Sequence, residues 1–312
     1  MARETSLVLR LHSLGDVVLA QPAVACAASR GPVLFITRPA YGPVAERFGP
    51  GVKVLCCSSE EGLRGLRERM RGISPSRVID LQGNLTSFLA LFPRRSSRFR
   101  TDRALRARIL SGGGGRMPGR AGEFLRVAGC SGAAVPVLVR RAFPEKDRLE
   151  VGLVCGGRWA LKSIPDGVLE ELARLFADLS GARVWLIAGR GEGSCAGTVA
   201  ARIGREGIRI FEGDTSALLD RIERLNLLVS PDSGPAHLAA ALGVGHLVVF
   251  TSTSPALGFW DPADPSVYGP VVPCSPCHRH GGRACGRGDE ACRTSLVPRL
   301  IFDKAMGRVT TP

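Results

Sequence analysis

Short apolar runs alternate with amphipathic stretches along most of the chain, and this alternation predicts strands and helices in turn. In the first half, strands are predicted at 7–11, 33–37, 52–56 and 77–81, and helices at 16–28, 42–48, 60–71, 86–91 and 121–129. After a linker at 140–148 the pattern restarts, with strands at 151–155, 183–188, 208–211, 225–229 and 246–250 and helices at 165–180, 192–204, 216–225 and 296–306. Because strands that alternate with helices form parallel sheets, the predicted fold is α/β with two Rossmann-like, doubly wound domains.

The restart of the pattern sets the predicted domain boundaries. We expect an N-terminal domain at 1–143, a C-terminal domain at 144–295 and a terminal helix with its tail at 296–312. Ligands of doubly wound sheets bind beyond the carboxyl ends of the strands. Two domains facing each other are therefore expected to place a ligand-binding cleft between those ends.

The composition is that of a soluble globular protein. The chain has 312 residues, of which 45% are hydrophobic, and that length is enough for two cores. No apolar run reaches the roughly 18 to 20 residues that span a bilayer. Residues 24–26 loosely resemble a lipoprotein cleavage site, but Arg10, His12 and Asp16 interrupt any apolar segment before them. We therefore expect a cytoplasmic protein.

The net charge of +14 is concentrated in one part of the sequence. Ten arginines lie between Arg94 and Arg126, against two acidic residues, Asp102 and Glu123. Such a segment suits nucleic acid, an anionic membrane or a polyanionic substrate, or forms a solvated basic face. Few aromatic residues are interleaved and no nucleic-acid-binding motif is present, so we expect no specific nucleic-acid partner.

The segment 229–243 is the most informative stretch. A strand is followed by Asp232, Ser233 and Gly234, and then by an Ala-rich helix that starts at Pro235. The first turn of such a helix offers backbone N–H groups and the positive dipole end to an anion. A capped turn with nothing bound is an equally good interpretation, because Asp and Ser are ordinary N-cap residues.

Three other strand ends carry candidate chemistry. Asp16 starts a helix after the Gly15 turn, where a carboxylate can accept a proton or simply complement the helix dipole. Lys162, one of four lysines among 42 basic residues, precedes a helix and suits a phosphate. Glu192 follows a Gly-Arg-Gly turn, where it can bind ribose hydroxyls or cap its helix.

The order of these motifs closely resembles the bacterial heptosyltransferases of glycosyltransferase family nine. The motifs are Ser-Leu-Gly-Asp (13–16), Asp-Leu-Gln-Gly (80–83), Lys162 before a proline, Gly-x-x-Glu (189–192), Gly-Asp-Thr-Ser (213–216) and Asp-Ser-Gly-Pro-x-His (232–237). The chain departs from the family at Ile164, where Trp is common, and near Thr251, where Gly is frequent.

The resemblance implies a twin-Rossmann (GT-B) architecture and an inverting, metal-independent transfer of heptose from ADP-heptose to the inner core of lipopolysaccharide. By resemblance, Asp16 is the catalytic base. The implied donor-binding residues are Lys162, Glu192, Asp232, Ser233, Gly234 and His237, and the acceptor side is bordered by Gly15, Asp80 and Gln82. The implied partners are an ADP-sugar, an anionic lipopolysaccharide precursor and the inner face of the inner membrane.

Two alternatives stay open. The chain could glycosylate protein or use another nucleotide sugar, or it could bind a nucleotide without catalysis. Retention of Asp16 and Lys162 disfavours the non-catalytic alternative.

Four of the ten cysteines fall within nineteen residues, and the other six are scattered in apolar surroundings typical of reduced core residues. Cys274, Cys277, Cys285 and Cys292 have the spacing of metal ligands, which suggests structural zinc or iron, with disulfides as the alternative. The family resemblance implies a structural role for this loop and no cofactor in catalysis.

Overall fold

The computed structural model describes residues 5–143 and 148–309; residues 144–147 of the predicted linker and 310–312 of the predicted tail lie outside the described chain. The chain folds into two compact units, Met1–Thr101 with Pro118–Arg140, and Asp102–Met117 with Arg141–Pro312. The second unit thus includes 102–117, which differs from the predicted boundary.

The first unit contains a five-stranded parallel sheet in the order β3-β2-β1-β4-β5. Its strands are β1 (Ser6–Leu9), β2 (Val33–Thr37), β3 (Val52–Cys56), β4 (Arg77–Asp80) and β5 (Ser97–Arg98). Helices up to residue 143 are α1 (Leu14–Leu19), α2 (Gln21–Ala28), α3 (Gly42–Ala45), α4 (Gly62–Arg69), α5 (Leu85–Leu91), α6 (Arg103–Leu110) and α7 (Arg120–Val127). The apolar side chains of β1, α4 and α5 form a buried cluster against one face of the sheet.

The second unit contains a six-stranded parallel sheet in the order β11-β10-β9-β6-β7-β8. Its strands are β6 (Glu150–Val154), β7 (Arg183–Gly189), β8 (Ile208–Gly213), β9 (Leu227–Pro231), β10 (Gly245–Val249) and β11 (Val267–Tyr268). The helices after residue 148 are α8 (Asp166–Ala177), α9 (Gly193–Ile203), α10 (Thr215–Glu223), α11 (Gly234–Ala241), α12 (Ala291–Thr294) and α13 (Pro298–Met306). The predicted α/β class, with two Rossmann-like units, is confirmed.

One predicted helix is broken in two. The helix expected at 16–28 ends at Leu19, and α2 begins at Gln21 with Pro22 in its first turn. Proline lacks the N–H that a continuous helix would use, and its ring clashes with the carbonyl four residues earlier. The same residue is well suited to the first turn of a new helix.

The basic segment contains a helix that the sequence analysis did not predict. α6 begins after Asp102, whose side chain accepts a hydrogen bond from the Leu105 N–H at 2.8 Å. Ile109 and Met117 bury against Leu257 of the same unit. Because this segment is rich in arginine, its sequence did not indicate the short apolar contact.

Two of the cysteines expected to be reduced are joined instead. A disulfide links Cys26 of α2 to Cys130, which follows α7, with the Cα atoms 6.6 Å apart. Helices α2 and α7 pack against each other, and this packing brings the two residues together across 104 positions of sequence. Among the described helices, none is long and apolar enough to cross a membrane.

Candidate active site

In the first unit, the order of strand addition reverses between β1 and β4. The chain adds β2 and β3 on one side of β1, and then β4 and β5 on the other. Doubly wound sheets bind ligands at the carboxyl ends of the strands flanking such a reversal. Leu9 is in register with Asp80, so the predicted motifs 13–16 and 80–83 follow neighbouring strands.

Asp16 lies in the first turn of α1, next to two arginines. One Arg10 guanidinium nitrogen lies 2.5 Å from Asp16 Oδ2, and Arg120 Nε lies 3.9 Å from Oδ1. Ser13 Oγ also donates to Oδ2, at 3.1 Å. The Asp16 side chain is 14% exposed. The carboxylate is therefore oriented by charge-assisted contacts and accessible over a small area, as a proton acceptor requires.

The two arginines are fixed by contacts of their own. Burial lowers the pKa of the Arg10 guanidinium, and the Asp16 carboxylate opposes that effect. Arg10 also donates to the Leu81 carbonyl at 2.7 Å, and the Arg120 guanidinium lies over the Phe99 ring at 4.5 Å. The sequence analysis missed both residues. Arg10 directly follows β1 and could have been noted, whereas no local signal links Arg120 to Asp16.

Asp80 is fully buried and organises the loop after β4. Its Oδ1 accepts from the N–H groups of Gln82 and Gly83, and its Oδ2 accepts from Ser87 Oγ and Arg98 Nε, all within 3.0 Å. Because these bonds occupy both oxygens, Asp80 can influence an acceptor only by positioning its neighbours.

Gln82 connects the two strand ends. Its Oε1 accepts from the Leu11 N–H at 3.0 Å, and its Nε2 lies 3.2 Å from His12 Nε2. His12 is exposed, and Gly15 is half-buried within α1. The residues predicted to border the acceptor thus lie at one strand end with Asp16. Gln82 is buried there, whereas His12 is exposed.

The second unit repeats this arrangement between β6 and β9, where its own strand order reverses. Lys162 ends a 3₁₀ turn (Ala160–Lys162) after β6, and Asp232 directly follows β9. Lys162 Nζ lies 2.9 Å from Asp232 Oδ2. Two residues that the sequence analysis assigned separately to the donor site therefore form an ion pair.

Asp232 is the buried member of this pair. Its side chain is 7% exposed, whereas that of Lys162 is 22% exposed. Burial alone would raise the pKa of Asp232, but Lys162, His237 and a 3.0 Å hydrogen bond from Thr253 Oγ1 outweigh burial and lower it. Lys162 is therefore the more accessible charge of the pair, and Asp232 orients it from the buried side.

The N-terminus of α11 lies beside the ion pair. Ser233 is the N-cap residue, with extended backbone, and its Oγ lies 2.9 Å from Ser230 Oγ. Gly234 begins the helix, so the backbone there carries no side chain that would keep an anion away. The His237 ring is buried and stacks on Trp260, with centroids 4.6 Å apart. His237 thus acts on Asp232 electrostatically and supports the first turn.

Glu192 is half-buried and is the N-cap residue of α9, close to the end of β7. A second carboxylate, Glu212, contacts the same turn and was not predicted from the sequence. Glu212 Oε1 accepts from the Gly191 N–H at 2.6 Å. Glu212 therefore fixes the Gly-Arg-Gly turn that precedes Glu192.

The Cys-rich loop 274–292 packs against the Lys162 turn. The Leu161 N–H donates to the Gly282 carbonyl at 3.1 Å, and Thr251 Oγ1 donates to the Leu161 carbonyl at 2.7 Å. Gly281 has φ +96°, and a Cβ atom there would lie 2.8 Å from Trp159 Cβ and 2.9 Å from Lys162 Cβ. The backbone that carries Lys162 is therefore held by this loop and by Thr251.

The four clustered cysteines influence each other electrostatically. Burial first, and then Cys277, Cys274 and Cys285, raise the pKa of Cys292 to about 11. Backbone hydrogen bonds lower the pKa of Cys285. Across 5–143 and 148–309, no three His, Cys, Asp or Glu side chains are arranged to hold a metal ion. As placed, the thiols do not fit the predicted zinc or iron site.

The ten arginines between 94 and 126 differ in their surroundings. They are divided between the two units. Arg120 is buried, Arg98 pairs with Asp80 at 2.9 Å, and Arg116 pairs with Asp261 at 3.3 Å. The predicted polyanion-binding segment is therefore partly structural.

Comparison with known proteins identifies a family domain in the chain. Residues 140–283 match the model of glycosyltransferase family 9 (heptosyltransferase). The chain carries a glycosyltransferase family 9 domain. The resemblance noted in the sequence is thereby confirmed, and the chain is a glycosyltransferase. No curated protein matches it by sequence. The matched range contains every predicted donor residue, whereas Asp16 lies outside it.

Solved structures share the fold of this glycosyltransferase. The E. coli heptosyltransferase WaaC with ADP superposes with a TM-score of 0.71 at 16% identity, over 98% of this chain and 100% of that one. E. coli ADP-heptose lipopolysaccharide heptosyltransferase II gives 0.72 at 16% identity, over 97% and 98%. The iron-containing dodecameric glycosyltransferase TibC from enterotoxigenic E. coli gives 0.64 at 14% identity, over 98% and 75%. At these identities the likeness concerns the fold.

Proposed function

We propose that this glycosyltransferase moves heptose from ADP-heptose to the inner core of a lipopolysaccharide precursor, with inversion and without a catalytic metal. The observation that carries the proposal is the Lys162–Asp232 ion pair at the N-terminus of α11, within the family 9 domain. The pair and the helix offer cationic and N–H groups at one strand end, a combination suited to a sugar-linked diphosphate.

The donor would bind to the second unit through its diphosphate. Lys162 supplies a point charge, and the first turn of α11 after Ser233 supplies backbone donors and the positive dipole end. As the bond from the anomeric carbon to the diphosphate oxygen breaks, negative charge grows on ADP. Preorganised donors stabilise that charge most strongly when it develops, so they lower the barrier. Glu192 would accept hydrogen bonds from the ribose.

The acceptor would be activated in the first unit. Asp16 accepts the proton of an acceptor hydroxyl while that oxygen forms its bond to the anomeric carbon. ADP leaves with the bonding electron pair from the opposite face, which inverts the configuration. Arg10 and Arg120 hold the carboxylate in place, and Gln82 and His12 would bind the acceptor beside it.

The acceptor proposed here is anionic and lipid-borne. Arg95 and Arg100 are exposed before and after β5, respectively, and suit phosphate or carboxylate groups. A lipid-borne acceptor places the enzyme in the cytoplasm, peripheral on the inner face of the inner membrane.

The test is a direct transfer assay. Purified protein is incubated with ADP-heptose and lipopolysaccharide truncated before its heptoses, and both ADP release and the mass of the product are measured. We expect acceptor-dependent ADP release and a product heavier by one heptose. Release with a protein acceptor alone, or only with another nucleotide sugar, would overturn the assignment.

A further inference from the structure

The structure carries an exposed apolar surface on α5 that the proposed chemistry does not use. Leu85, Phe88 and Leu89 of α5 and its C-cap residue Phe92 are spaced i, i+3, i+4 and i+7, so their side chains lie on one side of the helix. They are 71%, 44%, 39% and 59% exposed, respectively. We propose that these four residues, the α5 face, dock the protein on an anionic lipid bilayer.

The α5 face is held rigidly outward. On the opposite side of the helix, Ser87, Ala90 and Leu91 are buried. Asn84 and Ser87 form a reciprocal capping box, and Ser87 Oγ donates to the buried Asp80 at 2.8 Å. The helix cannot rotate to bury its apolar side without breaking these bonds. Contiguous exposed apolar side chains on a folded protein mark an interaction surface.

Basic residues lie next to this face, and one of them, Arg98, also pairs with the buried Asp80. Residues 85–100 contain four arginines and no acidic residue. The Arg98 guanidinium lies 5.0 Å from the Phe88 ring centroid. Arg67 of α4 donates to the Leu89 and Phe92 carbonyls at 3.2 and 3.4 Å. Arg95 is exposed in the same segment.

An apolar centre with a cationic border is the pattern of a surface that enters the headgroup region of an anionic membrane. A second copy of this chain fits less well, because pairing two such faces would bring two basic borders together.

The position of the face connects docking with the reaction. α5 starts three residues after Gln82, at the same strand end as the proposed acceptor side. Docking through α5 would hold this edge of the sheet close to the lipid that carries the acceptor. This connection rests on the proposed function, whereas binding to the bilayer does not.

The experiment measures co-sedimentation with vesicles of phosphatidylglycerol and phosphatidylcholine, compared with phosphatidylcholine alone. The test variant is Phe88→Ser/Phe92→Ser. The matched control is Ile210→Ser/Val271→Ser, which removes two apolar side chains that are 46% and 102% exposed in the second unit. We expect the wild type and the control to bind anionic vesicles, more weakly at high salt, and the test variant to bind at least about tenfold more weakly.

The outcomes separate the alternatives. Equal binding by the test variant and the wild type, or no preference for anionic vesicles, would overturn the proposal. A wild-type dimer in sedimentation velocity that Phe88→Ser/Phe92→Ser dissociates would assign the face to self-association instead. Circular dichroism and ADP affinity are measured for each variant. Vesicle binding without ADP binding would refute the proposed function and leave the docking surface standing.

Discussion

The Asp16 site and the Lys162 site each place a carboxylate beside a cation at the strand-order reversal of a parallel sheet. In the first unit the carboxylate is the partly accessible group, 14% exposed, and the Arg10 side chain beside it is 8% exposed. In the second unit the cation is accessible, at 22%, and the Asp232 carboxylate is 7% exposed. The accessible group has opposite charge in the two sites.

This difference indicates which charged group of each pair can contact a ligand. Under the proposed function, the proton acceptor must be a reachable carboxylate, and Asp16 is such a group, held by buried guanidinium groups. The diphosphate would need a reachable cation, and Lys162 is such a group, held by a buried carboxylate. In each site the buried partner holds the accessible group in one position, at the cost of burying an ion.

The largest expected effect is on turnover. Asp16→Asn keeps the shape of the side chain but removes its capacity to accept a proton, so the proposal predicts a loss of roughly 10²- to 10⁴-fold in kcat. The control is Asp166→Asn, because Asp166 also lies in the first turn of a helix. Steady-state transfer assays decide the matter. If the two substitutions lowered kcat equally, Asp16 would be an acidic residue that only complements the helix dipole, and its role as the base would be excluded.

The next effect is on donor affinity. Lys162→Ala removes a charge-assisted contact to the diphosphate and should weaken ADP binding by about 1.5 to 3 kcal/mol. Lys304→Ala is the control, since that lysine lies on α13. Calorimetry with ADP measures both. Unchanged ADP affinity in Lys162→Ala would exclude Lys162 from the diphosphate site.

A third prediction concerns Asp232, the buried member of the ion pair, and the pH dependence of the stability that it contributes. Asp232→Asn should lower the free energy of unfolding at neutral pH by about 1 to 3 kcal/mol, because it removes a buried ion pair whose lysine can regain water. The folded-state pKa of Asp232 lies below its ordinary value of 3.8. The stabilisation is therefore present above that value and is lost as the pH falls through the folded-state pKa.

Denaturant titrations of wild type and Asp232→Asn at several pH values check this prediction. We expect the difference in unfolding free energy to shrink below about pH 4. A difference that stays constant into that range would mean that the Lys162–Asp232 charge pair is not its source.

The smallest expected effect tests how Lys162 is positioned. Gly281→Ala would place a Cβ atom against Trp159 and Lys162 at a positive φ, so the Lys162 turn must shift. We expect ADP affinity to fall by several-fold to about tenfold. Gly286→Ala in the same loop is the control, because nothing lies within 4 Å of its added Cβ.

Adenosine affinity distinguishes local displacement from general damage. If the loop only positions Lys162, Gly281→Ala should weaken binding of ADP more than binding of adenosine. Equal losses for both ligands would contradict this positioning role.

The sequence predicted the features that depend on short stretches of chain. Alternating apolar patterns located β7, expected at 183–188 and found at Arg183–Gly189. The motifs also indicated Asp16, Lys162 and Asp232 as candidates. Pro22 was a local signal for the break between α1 and α2, and the predicted single helix at 16–28 did not take it into account.

Features that depend on tertiary packing could not be predicted. Arg120 meets Asp16 across 104 residues of sequence, and Thr251 holds Leu161 across 90. Neither pattern nor spacing encodes such contacts. Similarly, Lys162 and Asp232 were both identified, but their pairing follows from the order of β6 and β9 in the sheet.

The most direct test of the proposed roles of Asp16 and Lys162 measures two quantities on Asp16→Asn, its ADP affinity and its turnover. Because Asp16 and Lys162 belong to separate units, the account predicts an ADP dissociation constant within about twofold of wild type, together with a kcat lowered by roughly 10²-fold or more. Loss of ADP affinity in Asp16→Asn, or retention of near-normal kcat, would contradict it.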